Sequence, residues 1–387
     1  MRIFPLKSAK KSNFARMKSL STITVLLASS LSVFLAVSCG KSTYVSITGY
    51  AQGGTYQVTV DAGDASVAPE TMKHTIDSLL NVVDFTLSGY NKESLLTKFN
   101  AGETIVPNDM FMDIYSMSHE FWKESEGVLD VAAGQLFDIW GFGFKEGEMP
   151  SDEIVAKTKV QCGMARLVPD MHDVLDSDGR LDPAAMAVNG KLSEAADSED
   201  VLVLPKLNFN AVAQGYSVDL VASYLYSVGV SDMLINIGGE IYCDGLNPGG
   251  NNWGLGIDKP VDGNNNTGEI LQGIFHAPGG PCGIVTSGNY RKFYVKDGKK
   301  YSHSIDPRSG YPVTHNLLSA TIITTGADHS DGSFLSTRAD ALATICMVLG
   351  LDQASALVES TPGIEACLIY DEDGTMKSWT SAGFTLE

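Results

Sequence analysis

A carboxylate and a hydroxyl stand one helical turn apart near the C-terminus, at Asp340 and Thr344. Residues at positions i and i+4 of a helix face the same side, so the two oxygen groups meet. Both are hard ligands that suit Mg²⁺ and leave coordination positions for water and phosphate oxygens. The alternative is that Asp340 only stabilises the start of its helix, where the helix dipole favours a negative charge. The pair is therefore a candidate metal site.

A second candidate lies in the segment SHSIDPRSGYP, which begins at Ser302. Pro307 and Gly310 predict a tight turn. His303 and Asp306 stand three residues apart at the end of the preceding strand, where they are candidates for proton transfer or metal binding. A surface turn with an incidental histidine fits the same pattern.

Two glycine-containing segments follow apolar strand patterns. Asn236–Glu240 places Gly238 and Gly239 directly after a buried strand, where a ligand can approach the backbone closely. Thr286–Arg291 supplies hydroxyls, backbone amides and one cation, which suit a phosphate or a ribose. Both segments also fit plain turns, so neither defines a ligand by itself.

Strand and helix patterns alternate along the chain and must position these groups. Apolar residues at helical spacing predict helices, and short apolar runs predict strands. Helices are predicted around Met72–Val83, Ile114–Phe121, Val218–Leu225 and Ala339–Met347, and strands at Tyr56–Val60, Met233–Ile237, Gly283–Val285, Leu317–Thr324 and Ala366–Tyr370, with a hairpin around Asp297-Gly298. The mixture predicts an α+β (mixed α/β) protein.

The N-terminus predicts export and a lipid anchor. Basic residues precede an apolar run at about 23–37, which is shorter than the roughly 20 residues of a membrane span and ends in small residues before Cys39. This order is typical of a bacterial lipoprotein signal, with an ordinary signal peptide or N-terminal anchor as alternatives. We expect a signal peptide over 1–38, a lipid-anchored linker over 39–47 at Cys39, and one catalytic domain over 48–387 on the periplasmic side of a membrane in a bacterial cell envelope.

The mature chain is strongly acidic. Without residues 1–38 it carries 21 Lys and Arg against 46 Asp and Glu, a net charge of −25. Such a surface repels nucleic acid, so we expect no nucleic-acid partner.

The cysteines other than Cys39 predict no chemistry. The five are scattered and lack metal-site spacing. They allow one or two disulfides in an oxidising compartment, although small core residues are the simpler interpretation.

Taken in order, the motifs resemble the ApbE family. The match runs from about Thr48 to Gly350 and begins with the glycine turn at Gly53-Gly54. Each motif is modest alone, but the ordered set is specific. The motifs that follow are SGY at Ser88, SEGVLD at Ser125, NFNAVAQGYSVD at Asn208, NIGGE at Asn236, TSGNYR at Thr286, the turn at His303–Pro312 and DALAT at Asp340.

The resemblance implies two packed sheet-and-helix lobes with a flavin site between them. It implies an FAD:protein FMN transferase that depends on Mg²⁺, moves the FMN moiety of FAD to a Thr hydroxyl of an acceptor protein, and releases AMP. Acceptors in this family are subunits of the Na⁺-translocating NADH:quinone reductase and of the related Rnf complex. Two alternatives remain: an FAD pyrophosphatase that releases FMN and AMP, and a non-catalytic FAD-binding lipoprotein.

Site residues also follow from the resemblance. His303 and Asp306 are candidates for handling the proton of the acceptor hydroxyl. The expected Mg²⁺ ligands are Asp340 and Thr344 with the backbone carbonyls of Ala211 and Ala343. The positions expected to contact FAD are Gly53, Ser88, Tyr90, Val128, Leu129, Asp130, Asn208, Gln214, Gly238, Gly239, Glu240, Ser287, Tyr290, Arg291 and Ile305.

The sequence departs from the family pattern at three positions. Gln214 stands where a Lys is common, so it brings a hydrogen-bonding group without a charge. Asn208 stands where Asp is usual, and a Met that is usual near Gly53 is missing. Phosphate stabilisation is then expected to come from elsewhere, with Arg291 as one candidate.

Overall fold

The structure is a computed structural model, and it describes most of the chain. The described residues are 43–142, 149–188, 204–260, 270–289, 293–296, 299–326 and 334–387. For 293–296 and 299–302 only the backbone is described. Helices and strands alternate through these ranges, which confirms the mixed α+β fold. The predictions for the signal peptide, Cys39, Tyr290 and Arg291 lie outside the described residues.

Strands form the centre of the molecule. They are β1 (Tyr44–Ala51), β2 (Gly54–Asp61), β3 (Met233–Ile237), β4 (Glu240–Asp244), β5 (Gly254–Asp258), β6 (Leu271–His276), β7 (Cys282–Gly288), β8 (Phe293–Lys296), β9 (Lys299–Ser302), β10 (Ile305–Asp306), β11 (Tyr311–Pro312), β12 (Leu317–Thr325), β13 (Ile364–Glu372) and β14 (Thr375–Thr380). Eight strands form one sheet in the order β1-β2-β3-β4-β7-β12-β13-β14, and every neighbouring pair is antiparallel. The pairs β5–β6, β8–β9 and β10–β11 form small separate sheets.

Helices pack against this sheet. They are α1 (Pro69–Leu87), α2 (Leu95–Asn100), α3 (Asp109–Glu124), α4 (Gly134–Ile139), α5 (Asp152–Lys159), α6 (Ala213–Ser227), α7 (Leu335–Leu349) and α8 (Leu351–Ser360), with short 3-10 helices at Met164–Arg166, Met171–Val174 and Pro183–Met186. Several carry local start signals. Pro69 opens α1 with a backbone angle suited to the first turn, and the Asn108 side chain caps α3 by accepting from the Phe111 amide.

Two hydrophobic clusters define two sheet-and-helix lobes. In one, apolar side chains of α1 and α6 pack on β1, β2 and β3, with Val58, Ile76 and Val221 fully buried. In the other, α3, α7 and α8 pack with β7, β12 and β13, around residues such as Phe111 and Ile322. Helix α6 contributes side chains to both clusters, so α6 and its neighbour α7 lie where the lobes meet.

The opposite face of the sheet carries a third cluster. Alternate residues of a strand point to opposite faces, and Val285 belongs to the large lobe whereas Ile284 packs beneath β5 and β6. The pairing of β4 with β7 joins the two halves of the sheet through only three residue pairs, which makes it a short junction at the centre.

The structure refines several sequence predictions. The strands β2, β3, β7, β12 and β13 occupy the predicted segments, and β8 and β9 pair on either side of Asp297-Gly298 as the hairpin pattern predicts. β1 begins at Tyr44, inside the segment 39–47 that was expected to be linker, because these residues pair with β2. Among the described residues, no helix is long and apolar enough to cross a membrane.

Candidate functional site

Helices α6 and α7 begin side by side, and each is capped by a carboxylate of the other. The side chain of Asp340, in α7, accepts a hydrogen bond of 3.1 Å from the Gly215 amide in the first turn of α6. The side chain of Asp219, in α6, accepts from the amides of Ser336 and Thr337 in the first turn of α7, at 2.9 and 2.8 Å. The two carboxylates thus supply the acceptors that the first amides of a helix lack.

Neither helix has a capping side chain of its own. The residues at the N-cap positions are Val212 and Phe334, which offer no side-chain acceptor. The two helix starts approach closely because Gly215 lacks a side chain: a Cβ there would lie 2.4 Å from the Ser336 carbonyl oxygen. The hydroxyl of Thr337 adds a further bond of 2.7 Å to Asp219.

This arrangement buries two negative charges near each other. Burial raises the pKa of Asp219 above its ordinary value, and the hydrogen bonds from Thr337 and Ser336 only partly oppose the shift. Burial also raises the pKa of Asp340, and the negative charge of the neighbouring Asp219 raises it further. No ion pair with a cationic side chain is seen for Asp340 within the described ranges. A bound cation would therefore relieve an electrostatic cost.

The other predicted metal ligands lie in α7 and just before α6. Thr344 follows Asp340 by one helical turn and is partly exposed, whereas Ala343 is buried. Ala211 lies in the turn that leads into α6. No group of three or more His, Cys, Asp or Glu side chains suited to a metal occurs in the described part of the chain. A metal here would rest on one or two carboxylates with hydroxyl and carbonyl oxygens.

Glycine turns of the sheet meet the start of α6. The Gly238 amide donates to the Thr55 carbonyl at 3.1 Å, which holds the β3–β4 turn against β2. A Cβ on Gly238 would lie 2.2 Å from the side-chain nitrogen of Gln214, so this glutamine rests directly on the turn. Gly53 occupies the neighbouring β1–β2 turn. The structure therefore brings together Gln214 and the turns at Gly53 and at Gly238, Gly239 and Glu240.

A second part of the site lies between the SEGVLD segment and the turn after β10. Gly127 faces the aliphatic stem of Arg308, with 3.9 Å between the position of a Gly127 Cβ and the Arg308 Cγ atom. The two segments enclose a cavity of about 330 Å³. It is lined by Trp122, Lys123, Glu126, Gly127, Asp130, Pro307 and Arg308.

Within the SEGVLD segment, side chains mainly organise the backbone. Val128 and Leu129 are buried in the core, so only their backbone groups remain for a ligand. The Asp130 carboxylate accepts from the amides of Ala132 and Met164 at 2.9 and 3.0 Å. Burial raises the pKa of Asp130 to about 6 despite these hydrogen bonds. Asp130 thus fixes the turn of its own segment and joins this segment to the 3-10 helix that begins at Met164.

His303 and Asp306 have different neighbours in the structure. The Asp306 carboxylate accepts from the backbone amide and from Nε and Nη2 of Arg308, at 2.9, 2.9 and 3.0 Å. This bidentate pair fixes the turn, and the sequence pattern of the turn does not indicate it. The ring of His303 lies 6.4 Å from that of Phe142 between centroids.

Neighbouring contacts connect this turn to the remaining segments. Ser304 donates to the Asn289 side chain at 2.7 Å, which brings the end of β7 beside His303. Ile305 is buried against Trp140. Ser287 lies in β7, where it pairs with Ala320 of the neighbouring strand β12.

Asn208 and Ser88, two further positions expected to contact FAD, both take part in backbone hydrogen bonds. The Asn208 amide donates to the Val131 carbonyl at 2.7 Å and joins the SEGVLD segment to the turn before α6. Ser88 accepts from the Tyr90 amide at 3.3 Å, and Tyr90 is 68% exposed.

A larger groove of about 580 Å³ along α1 contains none of the predicted site residues, so its size alone does not mark the site.

Comparisons with known proteins agree on one family. The model of the ApbE family matches residues 43–368. The FAD:protein FMN transferase of Escherichia coli K12 is 30% identical over 345 residues, covering 87% of each chain. That of Vibrio cholerae is 29% identical over 359 residues, covering 91% of this chain and 96% of the relative.

Solved structures give the same result. Flavin transferase ApbE from Vibrio cholerae matches with a TM-score of 0.67 and 28% identity, over 88% of this chain and 97% of that chain. The apo form of Pseudomonas stutzeri flavinyl transferase ApbE matches with a TM-score of 0.69 and 29% identity, over 88% and 95%.

Fold and site together define an α+β protein whose polar groups gather where two helices begin beside the glycine turns of an antiparallel sheet. Most of the chain takes part in this arrangement, and the family match covers it from β1 into β13. The chain belongs to the ApbE family.

We expect Asp219→Ala to lower the free energy of unfolding by about 2–4 kcal/mol, because it leaves two buried amides and one hydroxyl at the start of α7 without their acceptor. Asp219→Asn keeps one acceptor oxygen and should lose less. The measurement is urea denaturation followed by circular dichroism. Asp352→Ala, at an exposed position of α8, is the control and should change stability by less than about 0.5 kcal/mol. Equal midpoints for Asp219→Ala and the control would contradict the reciprocal capping.

Proposed function

We propose that this protein is an FAD:protein FMN transferase that requires Mg²⁺, transfers FMN to a Thr hydroxyl of an acceptor protein and releases AMP. The observation that carries the proposal is the buried Asp340 at the joint start of α6 and α7, within a chain that matches proteins named FAD:protein FMN transferase over 87% or more of its length. Its transferase class rests on these relatives, the metal on the buried carboxylate at the site, and the Thr acceptor and AMP release on the family resemblance.

The donor set fits Mg²⁺. Asp340 supplies a buried carboxylate whose raised pKa reflects the cost of burying its charge, and Thr344 and the Ala211 carbonyl supply neutral oxygens. Mg²⁺ is commonly held by one or two carboxylates together with water and substrate phosphates. When bound, the ion supplies neutralisation of the negative oxygens of the pyrophosphate.

Helix ends and glycine turns suit the phosphates of FAD. The positive ends of the α6 and α7 dipoles meet beside Asp340, and helix N-termini attract phosphate groups. Gln214 is uncharged and rests on the Gly238 turn. Lys123 and Arg308 line the cavity between the SEGVLD segment and the turn after β10, where Glu126 and Asp130 offset their charge and Arg308 is paired with Asp306. Lys123 is therefore the alternative to Arg291 for compensating the missing lysine.

The reaction is a displacement at phosphorus. The oxygen of the acceptor Thr attacks the phosphorus of the FMN moiety, and the bond from that phosphorus to the bridging oxygen breaks, so that AMP leaves with the bonding electrons. We assign the hydroxyl proton to His303, because histidine is the side chain that most often serves as a general base in enzymes. Asp306 is engaged by Arg308 and acts as the holder of the turn. Water in place of the Thr would give FMN and AMP instead.

The acceptor and the location remain expectations of the sequence. We propose a redox-complex subunit of the Na⁺-translocating NADH:quinone reductase or Rnf type as acceptor, and a lipid anchor at Cys39 that holds the domain at the periplasmic side of a membrane. The acceptor rests on the family resemblance, and the anchor rests on the basic and apolar N-terminal pattern that ends before Cys39.

Substituting Asp340 tests the metal site. Asp340→Asn should lower the rate of FMN transfer by more than about 100-fold, because the substitution removes the one charged ligand expected at the metal. The assay incubates enzyme, FAD and Mg²⁺ with an acceptor domain that carries a flavinylation Thr, and records in-gel flavin fluorescence. Excess EDTA should give the same loss, and Asp352→Asn should not. Full activity of Asp340→Asn would refute the site, and release of FMN and AMP without a fluorescent acceptor would assign hydrolysis instead.

Comparison of His303 with Asp306 tests the assignment of the base. His303→Ala should reduce the rate about 100-fold or more at saturating FAD, the size of a general-base contribution. Asp306→Asn retains an oxygen that accepts from the Arg308 amide, so it should cost less than about 10-fold. Thermal midpoints of both variants control for folding. The reverse order of the two effects would make Asp306 the base.

The lipid anchor is tested by labelling cells with a palmitate analogue. Wild-type protein should carry the label and partition into detergent, because Cys39 is the residue that receives lipid. Cys39→Ala should carry no label, whereas Cys162→Ala is the control and should be labelled. Equal labelling of Cys39→Ala would exclude this anchor.

A further inference from the structure

Two cysteines face each other across the junction of the central sheet. Cys243 near the end of β4 pairs in register with Cys282 at the start of β7. Both side chains are fully buried, and the structure holds both as free thiols. The hydrogen bond with Cys282, and after it burial, raises the pKa of the Cys243 thiol well above its ordinary value. The register of the two strands places the two cysteines directly opposite each other.

We propose that Cys243 and Cys282 form a disulfide in the exported protein. Directly opposite residues of an antiparallel pair have Cα atoms about 4.5 or 5.5 Å apart. Both spacings lie inside the range of about 4.4–6.8 Å that disulfides span. The bond thus needs no rearrangement of the two strands.

Cys243 and Cys282 are the pair that the fold favours. Cys367 on β13 lies opposite Thr321 and Thr380 on its two neighbouring strands, so it has no cysteine across from it. Cys346 belongs to α7 and packs in the cluster on the other face of the sheet.

Formation requires a disulfide-bearing oxidant, either a protein or a small molecule. The Cys243 thiolate attacks one sulfur of the oxidant, and the other sulfur of the oxidant leaves as a thiolate. The Cys282 thiolate then attacks the Cys243 sulfur and displaces the sulfur of the oxidant that was bonded to it. The two cysteines lose two protons and two electrons, and the oxidant leaves as two thiols. Attack needs access to an ionised thiol, and both side chains are inaccessible in the folded chain. The bond therefore forms during folding, before β4 and β7 close, and a reduced folded protein resists oxidation.

The consequence is a covalent link at the weakest point of the sheet. Only three residue pairs join β4 to β7, and these strands connect its two halves. The cysteine pair lies at the opposite end of this junction from Glu240 and Ser287, because β4 leaves the Gly238 turn and runs antiparallel to β7. The disulfide would stabilise the sheet without contacting the proposed flavin site.

The test uses the chain without residues 1–40, which retains every described element and has five cysteines. The protein is unfolded, reduced, and refolded in oxidised and reduced glutathione. It is then unfolded again with iodoacetamide and without reductant, and digested for mass spectrometry. We expect three modified cysteines and one cross-linked peptide pair that joins Cys243 to Cys282. Modification of all five, or a cross-link through another cysteine, would overturn the proposal.

Stability supplies a second measurement. The oxidised protein should have a Tm about 5 °C above that of the reduced protein, as expected for a closed loop of this length. Cys243→Ala should remove the cross-link and the redox dependence of Tm, whereas Cys367→Ala is the matched control and should keep both. An equal Tm for oxidised and reduced wild-type protein would also contradict the proposal. These outcomes do not depend on FMN transfer, so failure of the proposed function leaves the cysteine test intact.

Discussion

The exchange of caps between α6 and α7 is the interaction on which the rest of the site depends. Each helix lacks a capping side chain at its own start and receives a carboxylate from the other helix instead. Each capping carboxylate also lies one turn after an amide that the other helix caps. Asp219 follows the capped Gly215 amide by four residues, and Asp340 follows the capped Ser336 amide by four residues. The two helices are therefore held in one mutual position, and a shift of either would break both sets of hydrogen bonds.

This constraint links stability to chemistry. Asp219 uses its oxygens for three donors at the start of α7, and in doing so it fixes the helix that carries Asp340 and Thr344. Asp340 receives one hydrogen bond from Gly215 and sits beside a second buried negative charge. Burying a carboxylate beside a second negative charge is costly, and a bound divalent cation would lower that cost. The electrostatics thus support the proposed metal site at the position where the lobes meet.

The sequence identified many of these parts but not all of their relations. Spacing alone paired Asp340 with Thr344, and strand patterns located β2, β3, β7, β12 and β13. The role of Asp219 was hidden, because its partners in α7 lie 117 and 118 residues further along the chain. No sequence signal pointed to it, because Ser336 and Thr337 at the start of α7 are themselves residue types that commonly cap a helix. Arg308 was similarly ambiguous, because a charged residue in a turn points to solvent as often as to a neighbouring carboxylate.

The order of the sheet explains why distant segments meet in one place. Three segments lie at the ends of neighbouring strands: the turn before β4, the turn between β1 and β2, and the end of β7. Gln214 at the start of α6 rests on the first of these turns, and Ser304 after β9 bonds to Asn289 after β7. Backbone pairing in the sheet thus sets the positions of the loops, while the reciprocal caps set the helix starts beside them. A chain that keeps these two constraints can vary individual contacts without losing the arrangement that holds the start of α6 against both Asp340 and the Gly238 turn.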